Sequence, residues 1–73
     1  ESNRKTTFTK KLGKRISKLR EERKLSQVDL ARLCNKPKQN INRLEAGAIN
    51  PTAFYLHELS NALKVPIETL FDF

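Results

Sequence analysis

The sequence predicts an all-α fold, a compact bundle of five short helices within 73 residues. Apolar residues recur at helical spacings, as in Leu12, Ile16 and Leu19, and again in Leu56, Leu59 and Leu63. Between such stretches stand residues that start and stop helices: Ser26, Pro37, Gly47, Thr52 and Pro66. No stretch alternates with period two, so no strands are expected.

Residues 1–8 are expected to form a disordered or loosely ordered basic lead-in, because ESNRKTT has no apolar side chain to dock. Residues 9–73 form the domain. Helical periodicity takes over from Phe8, and the first helix ends near Arg23. Ser26-Gln27-Val28-Asp29 is a capping box with Asp in place of the preferred Glu: serine serves an orphan N–H and the acid reaches back. Helix 2 covers about 27–34, with Leu30, Ala31 and Cys34 on its apolar face. Asn35 follows as the residue best suited to a left-handed stop. Proline is favoured at a helix's first position, so helix 3 starts at 37 or 38, turns Ile41 and Leu44 inward, and stops at Gly47. Thr52 caps helix 4, which Lys64 closes, and Pro66 opens a short fifth helix over 67–71.

Composition excludes several classes of function. A lone cysteine, Cys34, allows no internal disulfide and suits a reducing cytosol; it reads as a small core residue. One Cys and one His, His57, cannot build a zinc site. There is no Ser/His/Asp or Cys/His arrangement and no glycine-rich phosphate loop, so no enzyme, cofactor or metal is expected. No apolar run approaches the roughly 20 residues that span a bilayer, and the polar, basic start has no leader-like apolar region.

The net charge of +7 is polarised. Residues 1–43 hold 14 of the 15 bases and 4 of the 8 acids, and residues 44–73 carry a net −3. Such a chain turns a basic face to a polyanion. Charge alone leaves nucleic acid, an acidic protein and lipid headgroups open. Helix 3 narrows the choice. Lys36, Lys38, Gln39, Asn40, Asn42 and Arg43 crowd a segment with only two aliphatics at helical spacing. Gln and Asn can pair with adenine in bidentate fashion, and Lys or Arg with guanine N7 and O6.

Only Asn35 and Lys36 separate Cys34 from Pro37, so helices 2 and 3 must cross steeply, and the small Ala31 lets them approach. Together LGKRISKLREERKLSQVDLARL, NINRLEAGAINP and LSNALKVPIETLF resemble the lambda-repressor-like, Cro/Xre-type helix-turn-helix family over residues 11–71. The resemblance implies a five-helix domain, with helices 2 and 3 as the helix-turn-helix and helix 3, about 37–46, in the major groove of double-stranded DNA.

On that resemblance Lys38, Gln39, Asn40, Asn42 and Arg43 are the base-reading candidates, led by Gln39 and Asn40, while Lys38 and Arg43 serve a phosphate equally well. Arg15, Ser26, Gln27 and Lys36 are the phosphate-contacting candidates, and Arg20 and Glu45 match a structural ion pair of the family. Lys11, Lys14 and Lys18 add to the basic field. The chain departs from the pattern at Pro37 and Pro66, which lack the usual capping oxygen. It departs also at Val28 and Leu33, where polar residues are usual, and at His57, which stands for a usually apolar residue and is expected to be partly buried.

The implied setting is cytoplasmic and nucleoid-associated, with two copies on a palindromic operator. Phe54, Tyr55, Leu70, Phe71 and Phe73, on helix 4 and the chain's end, are the candidate homodimer surface, though core packing explains Leu70 and Phe71 equally well and Phe73 is the better test. The alternative is an antitoxin-like or other protein-interaction module that holds a toxin or other protein partner, with DNA binding secondary.

Overall fold

The structure, a computed structural model, describes residues 2–73. Its elements are α1 (Ser2–Glu22), α2 (Gln27–Leu33), α3 (Lys38–Glu45), α4 (Ala53–Leu63) and a final 3-10 helix, Ile67–Phe71. The described residues contain no strand.

Two elements differ from expectation. α1 begins at Ser2, so residues 2–8 continue the helix instead of preceding it. No proline or glycine interrupts the segment, and the Phe8 ring packs 6.4 Å from Phe71 and 5.8 Å from Phe73, which gives these turns an apolar anchor. The last element is a 3-10 helix, with Thr69 N–H donating to Pro66 O at 2.9 Å. Five residues opened by a proline without a capping side chain have few α-type bonds to form, and the tighter winding suits such short pieces.

All four α-helices end the same way. A residue in the left-handed region, Lys24, Asn35, Gly47 or Lys64, follows each helix at φ between 56° and 77°. At each end two backbone bonds close over it, as in Asn35 N–H to Arg32 O at 3.2 Å and Lys36 N–H to Ala31 O at 2.9 Å. This is the Schellman closure, which satisfies carbonyls the helix leaves open. The starts follow the expected chemistry. Ser26 and Asp29 exchange both capping-box bonds at 3.0 Å, and Thr52 Oγ1 accepts Tyr55 N–H at 3.1 Å. Pro37 stands one position earlier than expected, at the N-cap, with φ −69° and ψ 152°.

The core comprises Leu12, Ile16, Leu19, Leu30, Ala31, Cys34, Ile41, Leu44, Tyr55, Leu59, Leu63 and Leu70. Tyr55, expected on a dimer surface, is thus interior, and of the two readings of Leu70 the core one holds. The buried stripe of α4 is Tyr55, Leu59 and Leu63, whereas Leu56 is only partly covered. His57, expected partly buried, is exposed beside Phe54, with Nε2 3.2 Å from Asn61 Nδ2. Cys34 is buried as expected, and burial pushes its thiol up to about 11.

Two glycines bring α1 and α3 together. A Cβ on Gly13 would lie 2.4 Å from Leu44 O and 2.6 Å from Glu45 O, so only glycine lets α1 cross the end of α3 this closely. Gly47, at φ 77°, turns the chain under α1, where Thr9 Oγ1 donates to Gly47 O at 2.9 Å.

Candidate nucleic-acid interface

Successive residues of an α-helix are about 100° apart, so the two aliphatics of α3 fix where its other side chains go. Ile41 and Leu44 are fully buried. Gln39, Asn42 and Arg43 fall on the opposite side and are exposed, with Lys38 beside them; the four line one open groove. Asn40 is half-buried, at the edge of the core face. Of the two leading base-reading candidates, Gln39 therefore stands free and Asn40 does not.

The C-terminal end of α3 is held by a charged network. Glu45 Oε2 accepts Arg20 Nε at 2.7 Å, and Oε1 accepts Arg20 Nη2 at 3.1 Å, a bidentate pair. Arg20 Nη1 also donates to Leu25 O at 2.8 Å. Glu45's hydrogen bonds raise the Arg20 guanidinium above its ordinary range. Gln27 Nε2 donates to Glu45 Oε1 at 3.0 Å, so its amide is oriented by α3, with a second N–H for another acceptor.

The other phosphate-contacting candidates are engaged within the fold. Arg15 Nε donates to Thr69 O at 3.0 Å, and its Nη2 is 3.8 Å from Asp72 Oδ2; it ties α1 to the C-terminal segment instead of joining the α3 face. Its sequence neighbourhood carried no sign of partners 54 residues away. Lys36 Nζ lies 3.7 Å from Glu58 Oε1 and 5.1 Å from the Tyr55 ring centroid. Ser26 gives its N–H to Asp29 and its hydroxyl oxygen accepts the Asp29 N–H, which leaves the exposed O–H as a donor. The next N–H groups of α2 have no partner inside a helix and stand beside it.

Gly13 escaped the sequence reading, yet its missing Cβ sets the spacing between α1 and α3. A glycine inside an otherwise helical apolar pattern was the available signal. The described residues hold no group of three or more His, Cys, Asp or Glu able to bind a metal, and no helix long and apolar enough to cross a membrane.

Comparison with known proteins agrees with this geometry. The family model HTH_3, Helix-turn-helix, matches residues 16–70. Among solved structures, the restriction-modification controller protein C.AhdI from Aeromonas hydrophila is 30% identical, with a TM-score of 0.85 over 86% of this chain and 96% of that one. An HTH_3 family transcriptional regulator from Vibrio cholerae, 24% identical, shares the fold with a TM-score of 0.85 over 92% of this chain and 38% of that one. No curated protein matches. With three-quarters of its length under one family model and a relative matched almost end to end, the chain belongs to the helix-turn-helix family HTH_3, DNA-binding transcription regulators rather than enzymes.

Proposed function

We propose that this protein is a sequence-specific regulator of transcription that lays α3 in the major groove and binds as a homodimer to a two-fold symmetric operator. One observation carries the reading: Gln39, Asn42, Arg43 and Lys38 stand exposed along one side of a helix whose opposite side is locked into the core. In the major groove such side chains meet a distinct donor and acceptor pattern at each base pair. Lys11, Lys14 and Lys18, all exposed on α1, supply the field that attracts the duplex. Gln27 and the first N–H groups of α2 are the phosphate contacts best supported, and similarity to a restriction-modification controller supports a role in transcriptional control.

Two copies would add their binding energies, with half-sites about one helical turn, ~34 Å, apart. Phe54, Phe71 and Phe73 remain exposed for that contact, and Phe8 joins the last two in one aromatic patch.

Selection of bound sites from random duplex DNA tests the reading. An enriched pseudo-palindrome with half-sites one turn apart is expected; a pool that stays random overturns it.

A second reading, an antitoxin-like or other protein-interaction module, draws on one observation. Leu33 is 59% exposed at the rim of an open cavity of about 560 Å³ that Leu25, Cys34 and Ala62 also line. A co-purifying protein that Leu33→Asp releases would favour it.

A further inference from the structure

The two ends of α3 are fastened differently. The C-terminal end has the Arg20–Glu45 pair and the close approach at Gly13. At the N-terminal end Pro37 offers no capping side chain, so beside the buried Ile41 the helix start depends on the turn before it. That turn carries Lys36. Asn35 in the left-handed region precedes it, Pro37 with its restricted φ follows, and the Lys36 N–H is bonded to Ala31 O at 2.9 Å. The side chain therefore leaves a rigid stretch of backbone.

It leaves toward α4. Lys36 Nζ stands 3.7 Å from Glu58 Oε1 and 5.1 Å from the Tyr55 ring centroid, within the range where a cation is drawn to an aromatic face. Tyr55 is 7% exposed, so the ring is fixed by the core. Glu58 Oε1 is buried without a hydrogen-bond partner, which makes the Lys36 ammonium the group that offsets its charge. A lysine pulled away to a phosphate would leave that oxygen without its cation, a modest loss for side chains that are 33% and 26% exposed.

We infer that Lys36 is a positioning residue: it braces the start of α3 against Glu58 and Tyr55 of α4 and so sets the angle at which Gln39, Asn42 and Arg43 meet a duplex. The consequence for recognition rests on the DNA-binding reading above, whereas the brace is a property of the free protein.

Glu58→Gln separates a brace from a phosphate contact, because the two predict opposite signs. A phosphate-contacting Lys36 is freed by the loss of the acid and binds every duplex more tightly. A brace is loosened, and affinity for a selected duplex falls, by about fivefold. Lys36→Met keeps the apolar stem over Tyr55 while removing the charge. It should lower selected-site affinity more than affinity for random duplex, and the double variant should be no weaker than the worse single. In the free protein, both variants should move the amide resonances of Lys38, Gln39 and Asn40 while sparing that of Glu45. Unmoved resonances, or selected binding that Glu58→Gln leaves intact or strengthens, overturn the brace. If the parent protein selects no duplex at all, the DNA-binding reading fails and the resonances alone decide whether the brace exists.

Discussion

Arg20 and Glu45 lie 25 residues apart in sequence and are joined in the fold by two parallel hydrogen bonds of 2.7 and 3.1 Å. Their side chains are 12% and 8% exposed, so neither charge can turn to water if its partner is removed. Truncating one should destabilise the protein by about 3–5 kcal/mol, and replacing both with apolar residues should cost less than the sum. A double-mutant cycle of Arg20→Met and Glu45→Leu in urea unfolding measures the coupling. Additive losses would mean that the two residues act independently.

Gly13→Ala sets two effects against each other. Alanine favours a helix interior over glycine by about 1 kcal/mol. The new Cβ, however, would sit 2.4 Å from a backbone oxygen of α3, which no rotamer change can relieve. Overpacking of this kind costs about 1–3 kcal/mol or more, so the net effect should be a lower midpoint of thermal unfolding. A midpoint that holds or rises would show that α1 and α3 can separate without loss.

Gln39→Ala should weaken binding to a selected duplex by about 1–3 kcal/mol and relax preference at one base position while leaving thermal stability alone. Exposure of Gln39 opposite the buried Ile41 and Leu44 motivates this expectation. Repeating the site selection with the variant checks it. The same consensus at the same affinity would remove Gln39 from the readers.

The capping box predicts a pH dependence. The Ser26 N–H holds the Asp29 carboxyl below its ordinary range. Its folded value is thus lower than its unfolded one. The carboxylate therefore adds stability above the ordinary value, near pH 4, and that contribution is lost as the pH falls through the lowered value. Asp29→Asn should be less stable than the parent at neutral pH, and the gap should close in acid. Thermal unfolding from about pH 7 to about pH 2 reads the difference; a constant gap would exclude the charge as its source.

What the sequence disclosed and what it hid divide along physical lines. Local chemistry was legible: the Ser26–Asp29 box, the Thr52 cap and the stops at Asn35 and Gly47 depend on neighbours within a few positions. The inward pair Ile41 and Leu44 was legible because it stands alone among polar residues. Tyr55 was not. α4 has apolar side chains at Phe54, Tyr55, Leu56, Leu59, Ala62 and Leu63, so periodicity leaves its rotation loose, and packing against α2 and the 3-10 helix settles it. Lys24 and Lys64 carry no mark of a left-handed backbone, since each reads as an ordinary solvated lysine. The partners of Arg15 and Lys36 were hidden for a related reason. Long cationic side chains reach partners on distant elements, and charge counts treat an engaged cation and a free one alike.

The division of labour along α3 bears on how such a protein could acquire a new target. Ile41, Leu44 and Glu45 bind the segment to its scaffold, while Lys38, Gln39, Asn42 and Arg43 are tied to nothing else in the described chain. Exchanging those four side chains leaves the chassis untouched, so drift at a handful of codons can rewrite the address without risking the architecture that delivers it.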